Sequence, residues 1–376
     1  MNCRMEEGKR LLESRFLWVL FAGALIVNFW IMANYGGQAS MVKAAAGLWD
    51  RGVHHVTKEN AEVVIAAFAG KEPKSAQISV RSAVEAVPVM AEKIGAADFA
   101  EIFIEKLKLG GKAAQAVREA CAPMEKYLAR DRENGTAASL FIPCTAGFFE
   151  LFSRMLPVAC TVEAALAAVL IMLRCVNAPY DRRSKELVYT TKAGRRLSRF
   201  QMESAFLVII FFTAALWSVT FLAAECVLHM GRLWQVKVGS MMMLDSFYPV
   251  VCRFSISLGA YMLLQAAMSI CIALLFGMAA AGFVEKTHRT AEAFFKLGFG
   301  CAAMAAVTEV FPRTSILLFA VRFQPVEFIK KAGRYFAGGA GFLSVKYYEM
   351  AFILCWGVLL LVFLVRRYKR FQAEDI

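Results

Sequence analysis

Residues 16–35 read FLWVLFAGALIVNFWIMANY, twenty positions without a charge, in which Asn28 and Asn34 are the strongly polar members. A helix needs about 20 apolar residues to cross the hydrocarbon of a bilayer, and this run meets that length. Gly37-Gln38-Ala39 follows with the small residues of a signal-peptide cleavage site. The apolar core is nevertheless longer than the roughly 7–15 residues of a signal peptide, so the run reads as a retained span.

Five further runs follow. Met155 to Leu173 contains a single acid, Glu163, and Ser204 to Ala224 is uncharged. Phe254 to Val284 is uncharged for 31 residues, enough for one long span or a span with an interfacial extension. Leu297 to Thr308 is closely bounded by Lys296 and Glu309, and it crosses only if its helix starts near Ala291 and Lys296 snorkels. Tyr347 to Val365 is stopped by Arg366, Arg367, Lys369 and Arg370. The reading is an all-α, polytopic membrane protein with six transmembrane helices and a helical extracytoplasmic insert between the first and second.

Composition agrees. Of the 376 residues, 59% are hydrophobic and 19% charged, against about 45–50% and 25% in soluble globular chains. Such a chain is too apolar for disorder and has the wrong Gly and Cys content for a collagen or a disulfide scaffold. The formal net charge is +13, and it is unevenly placed. Lys and Arg outnumber Asp and Glu by four to three in residues 1–35, balance at fourteen each in 36–150, and lead by twenty-five to thirteen in 151–376. A nucleic-acid binder carries its excess on a soluble face. Here the excess lies in short loops and a tail beside apolar runs, and no nucleic-acid partner is expected.

The cationic clusters are Arg4/Lys9/Arg10/Arg15, Arg174 to Arg199, Lys286/Arg289/Lys296 and Arg366 to Arg370. They alternate with the other loops, which the positive-inside rule converts into cytoplasmic N- and C-termini. The outer loop 312–346 goes against that bias with Arg313, Arg322, Lys330, Lys331 and Arg334.

Residues 36–150 read as a neutral helical domain on the outer side. Thr57 can cap a helix ending at Gly70, with Val63, Val64 and Phe68 on one face. Ser75 to Ile94 is a second segment, interrupted at Pro88. Ala96 to Leu109 spaces Phe99, Ile102, Phe103 and Leu107 helically before Gly110-Gly111 ends it, and Lys112 to Arg132 follows with Pro123 as a break.

The loop after the second span runs PYDRRSKELVYTTKAGRRL, residues 179–197. A short helix over 183–191 closed by Gly194 would carry an apolar patch and a charged face, suited to a membrane surface or to a groove on a soluble partner. The alternative is a cationic loop that only sets topology.

The ELVYTTKAGRR stretch resembles the loop after the second span in ABC-2-type transporter permeases of Gram-positive bacteria. The opening EEGKRLLESRFLWVLF, with Asn28 in the first span, is similar to the start of the same proteins. The order of one span, a large outer insert, five spans and a short basic tail also matches. The motifs cover about 40 residues and the architecture covers the chain. The resemblance implies a cytoplasmic amphipathic helix at 1–15, a first span at 16–35, the outer domain at 36–150, and a five-helix region at 151–376 with a coupling loop at 176–202. It further implies that Lys185, Glu186, Tyr189, Lys192, Gly194, Arg195 and Arg196 meet a cytoplasmic ATPase subunit, and that a second permease, identical or different, completes the assembly in the cell membrane. No G-x-x-x-x-G-K-[ST] sequence occurs, so the chain itself lacks the phosphate cradle of a P-loop. ATP would be hydrolysed by the partner, with no cofactor on this chain and no enzymatic site of its own.

Other residues carry less. A charged acid at a helix centre costs about 2.5–3.5 kcal/mol on insertion scales, so Glu163 is the candidate intramembrane functional residue, set against a protonated or interfacial carboxyl. His54-His55 cannot face one metal as helix neighbours. Cys160, Cys271, Cys301 and Cys355 read as small apolar filler. Cys121 with Cys144, and Cys226 with Cys252, are possible outer pairs. The alternatives in function are a mechanotransmission protein, in which an ATPase drives the outer domain without moving a solute, and a membrane sensor or receptor.

Overall fold

The computed structural model describes residues 13–34, 39–71, 80–82, 84–85, 93, 95–135, 151–181, 192–238, 251–252, 255–287, 289–338 and 347–373. Lipid offers no water to backbone N–H and C=O groups, so apolar runs of this length must satisfy them internally as helices. In chain order, α1 (Arg15–Asn34) is followed by the shorter α2 (Ala39–Asp50), α3 (Ala61–Phe68), α4 (Ala96–Leu107), α5 (Gly111–Cys121) and α6 (Glu125–Glu133). Then come α7 (Leu156–Asp181), α8 (Lys192–Leu228), α9 (Leu258–Thr287), α10 (Thr290–Val310), the short α11 (Leu317–Val321) and α12 (Pro325–Lys330), and α13 (Tyr348–Ala373). Val251–Cys252 and Ala337–Gly338 form a two-residue antiparallel pairing.

Among the described residues, six helices are long and apolar enough to cross a membrane: α1, α7, α8, α9, α10 and α13. All six expected runs are therefore helical, including the fifth. It begins at Thr290, close to the start its length demands, and its Lys296 pairs with Glu292 one turn away at 2.7 Å.

Helix α7 is the hub, packing against α1, α8, α9 and α10. Its buried residues include Ala164, Ala167, Ala168 and Cys175, small side chains that let neighbouring backbones approach closely. The outward faces are apolar: Trp18, Val19, Phe29 and Trp30 on α1, Phe295 and Phe299 on α10, and Leu354, Val358 and Leu361 on α13 are exposed. In water these would be an aggregation hazard; against lipid tails they cost nothing.

With six alternating helices, the described residues of 39–155, 229–257 and 311–347 meet at one end of the bundle, here the cap end. Two apolar clusters tie the insert there. In one, Met41, Val42, Leu48, Val64 and Phe68 of α2 and α3 pack with Met32, Leu228, Leu233 and Leu258. In the other, Phe99, Phe103, Val117 and Leu128 of α4–α6 surround Leu318, with Phe311 and Tyr348 alongside.

Several local expectations change in detail. Val64 and Phe68 are buried, whereas Val63 is exposed, because positions four apart share a face and Val63 lies about 100° away. Thr57 and Asn60 bond each other's backbone N–H in a turn before α3, so Thr57 does not itself cap that helix. Helix α4 ends at Leu107, with Lys108 in the left-handed region at φ 50°. Gly110 instead opens α5, and a Cβ there would come within 3.3 Å of the Thr314 methyl, so glycine permits the insert to touch segment 311–316. Pro123 sits in a 3-10 turn, Ala122–Met124, that breaks α5 from α6 as expected. Most of 75–94, Pro88 included, lies outside the described residues.

Segment 311–338 folds back into the mouth of the bundle. Gln324 donates to the Met304 carbonyl at 2.7 Å and to Thr308. Trp356 Nε1 donates to the Phe323 carbonyl at 3.1 Å, and Gln265 bridges Gly333 N–H and the Tyr335 carbonyl at 3.0 and 3.1 Å. Met304, Trp356 and Gln265 lie six to eight residues inside their helices, or roughly 10 Å at 1.5 Å per residue. Phe328 of α12 stacks on Phe352 and Tyr335, with ring centroids at 3.8 and 4.7 Å. A non-spanning segment is tolerated at such depth because its polar backbone is bonded by the surrounding spans.

Candidate functional site

The polar residues that sequence placed in separate spans meet on the buried faces of three helices. On α1 the buried positions are Leu17, Ala24, Asn28 and Met32, a stripe of sevens and fours that puts Asn28 against α7 and α8. On α7, Cys160 and Glu163 are three apart and face the same way. Asn28 Nδ2 donates to Glu163 Oε2 at 3.0 Å, to Thr220 Oγ1 of α8 at 3.2 Å and to Cys160 Sγ at 3.5 Å. The Cys160 thiol in turn reaches Thr220 Oγ1 at 3.8 Å.

The three helices bring these groups to one level. Asn28, Glu163 and Thr220 are six, seven and eight residues from the cap-end termini of α1, α7 and α8, which is about 9–12 Å of helix. With the helix ends at the edge of a hydrocarbon core of roughly 30 Å, that level would be about a third of the way across.

Its hydrogen bonding is incomplete. Asn28 is fully buried, and its Oδ1 has no partner; Glu163 Oε1 is likewise buried without one. Among the described residues no Lys or Arg pairs with Glu163. A buried polar atom left unpaired costs about 1–3 kcal/mol, and groups of this kind within a membrane face a cavity, a partner or a substrate path. Unpaired acceptor oxygens on two residues of one cluster suit a donor: a hydroxyl, an ammonium or an amide N–H.

Two more polar side-chain pairs join α7 to its neighbours. The Thr161 and Ser269 hydroxyls are 2.6 Å apart, Thr161 Oγ1 also donates to the Pro157 carbonyl at 2.6 Å, and Asn177 Nδ2 donates to Thr290 Oγ1 at 2.7 Å. Polar bonds thus link α7 to α1, α8, α9 and α10, each worth about 0.6 kcal/mol on average within membranes.

No protein-family model matches the chain, and neither curated proteins nor solved structures yield a match. What the chain does must be read from its own chemistry.

The coupling residues fall differently. Lys185, Glu186 and Tyr189 lie outside the described residues, as does the N-terminal stretch 1–12. Lys192, Gly194, Arg195 and Arg196 form the first turns of α8. Gly194 therefore does not close a helix; good helix formers follow it and the apolar run of the third span continues the same helix. Its φ can be helical as readily as left-handed, so glycine alone did not determine a stop.

His54 packs its ring on Trp49 with centroids 4.3 Å apart. Cys144 and the side chain of Cys252 lie outside what is described, so the two outer cysteine pairs remain expectations. Cys160 is more than filler, since it joins the polar cluster. Thr220 escaped the sequence reading altogether: a threonine in a span has no signature until the rotation of its helix is known. The one available signal was the coincidence of Asn28 and Glu163 at similar depth in adjacent spans.

Proposed function

We propose that the chain is the permease subunit of an ATP-driven ABC transporter of the ABC-2 type, an exporter that draws its energy from a separate cytoplasmic ATPase. The observation that carries this reading is the continuity of α8. One helix of 37 residues runs from Lys192, inside the KAGRR motif, to Leu228, and it carries Thr220 of the intramembrane cluster. At 1.5 Å per residue, Arg195 and Thr220 are about 37 Å apart along a single rigid rod.

In this reading Lys185, Glu186, Tyr189, Lys192, Gly194, Arg195 and Arg196 sit at the ATPase interface. Closure of the ATPase pair displaces the Lys185–Ser198 region and the N-terminal stretch 5–15. The rod transmits that displacement to Thr220, and the Asn28–Thr220 bond between α1 and α8 opens or shifts as the helices move as rigid bodies. The unpaired oxygens of Asn28 and Glu163 then supply a polar anchor for the donor group of a cargo in an otherwise apolar path. A second permease, identical or different, completes the path across the cell membrane, with both termini in the cytoplasm. The six apolar helices weigh against the mechanotransmission alternative, whose members commonly have four spans.

The test is co-purification from native membranes. Reversing both charges in R195E/R196E should lower recovery of the ATPase subunit several-fold while the amount of inserted chain stays the same. Unchanged ATPase recovery together with unchanged ATP hydrolysis contradicts the assignment.

A further inference from the structure

Hydrogen-bond valence narrows what Asn28, Cys160, Glu163 and Thr220 can hold between them. Asn28 Nδ2 has two hydrogens and three acceptors around it, Glu163 Oε2, Thr220 Oγ1 and Cys160 Sγ, at 3.0, 3.2 and 3.5 Å. The Cys160 thiol donates to Thr220 Oγ1 at 3.8 Å. The buried nitrogen and oxygen atoms of these four residues that lack a partner are both acceptors, Asn28 Oδ1 and Glu163 Oε1. Trp217, one turn before Thr220 on α8, is buried as well, but its Nε1 bonds none of the four.

A ligand for such a cluster must bring hydrogens. A hydroxyl brings one, together with lone pairs that need a donor in turn, and an amide N–H comes with a carbonyl. An ammonium brings three hydrogens and no acceptor. It also supplies the positive charge that the Glu163 carboxylate lacks, where an uncompensated charge is expensive. Hydrogen bonds between ionised partners are about twice as strong as neutral ones. The surroundings suit an apolar body attached to that group. On the side away from the cap end, Phe21 of α1 meets Phe212 of α8 edge-to-face at 5.4 Å. Leu17 and Ala24 of α1 and Leu216 of α8 belong to the same apolar cluster. Phe21 and Phe212 lie seven and eight residues from Asn28 and Thr220, so this seam runs about 10–12 Å along the two helices. The other faces of α1 are exposed and apolar, so the seam borders the lipid-facing surface.

We propose that Glu163 and Asn28 bind the ammonium group of a cationic amphiphile whose apolar body lies along the seam between α1 and α8. That the amphiphile is cargo rests on the permease reading; the binding itself needs no ATPase. A ligand already dissolved in the bilayer reaches the seam from the side, and its charge is neutralised by Glu163 without crossing the apolar layer unpaired.

The full chain is purified in detergent and its thermal unfolding is followed during titration with three separate probes: dodecylammonium chloride, dodecyltrimethylammonium chloride, which keeps the charge but has no N–H, and dodecanol, which has a hydroxyl and no charge. Wild type and K58Q, which alters an exposed lysine of the insert, should show a saturable rise in Tm with dodecylammonium and a much smaller one with the other two. E163Q keeps the size of the side chain and an acceptor for Asn28 but removes the charge, and it should weaken the apparent affinity for dodecylammonium about tenfold or more. N28A, which removes the amide oxygen, should weaken it several-fold, and it decides by the same criterion should E163Q fail to fold. No saturable rise, a rise as large with dodecanol or the quaternary salt, or equal affinity in wild type and the folded variants overturns the proposal. ATPase recovery in R195E/R196E is read separately, so a failure here beside a loss of ATPase there removes the cargo class and leaves the permease reading standing.

Discussion

Asn28 is the residue on which the interior of the bundle turns. It is an amide in an apolar helix, it is buried, and one of its nitrogens serves three partners on two other helices. Interhelical polar bonds in membranes average about 0.6 kcal/mol and reach about 1.7. The double-mutant cycle N28A/T220A, read by unfolding in detergent, should therefore give a coupling in that range. A coupling of zero would mean that the 3.2 Å contact does not hold α1 to α8. The sequence displayed Asn28 and Glu163 because polar residues stand out in apolar runs, and Glu163 was singled out for its cost in lipid. It hid Thr220 and Cys160, whose side chains are common in spans and acquire meaning only through helix rotation.

Elements were legible in proportion to how far transfer energy alone determines them. The six long helices followed from the length of their apolar runs, and even α10, bounded by charge, forms with its Lys296 paired to Glu292. Short elements were harder. Lys108 rather than Gly110 takes the left-handed position at the end of α4, and α11 and α12 dip into the bundle although the run around Ile316–Phe323 is too short to span and its flanks are cationic. Their placement depends on hydrogen bonds to Met304, Gln265 and Trp356, which no local pattern records. At this scale the proposed mechanism depends on α8 behaving as one rod. Ser198 lies six residues inside it, past the first turn, where proline removes a backbone bond and costs about 3 kcal/mol. In the S198P variant, ATP hydrolysis by the co-purified complex should lose its dependence on the permease while the chain still inserts. S198A should behave as the wild type. Equal hydrolysis in both variants would mean that α8 transmits nothing.

For the whole molecule, lipid is the solvent that makes the composition reasonable, and the connections at the two ends differ in kind. The chain between α7 and α8, that between α9 and α10, and the tail after Val365 are basic. The cap end gathers the described residues of the insert, of 229–257 and of 311–347, with the insert joined to the last of these through Gly110 and Thr314 and through the Leu318 cluster. Six crossings with these three segments on one face is the claim on which both the coupling and the cargo path rest. The measurement that tests it most directly is labelling of intact cells with a membrane-impermeant thiol reagent, using single cysteines K58C, S315C and S184C in a chain whose native cysteines have been replaced. The account predicts that K58C and S315C react from outside and that S184C reacts only after the membrane is opened. Reaction of K58C and S184C from the same side, or protection of S315C while K58C reacts, would contradict it.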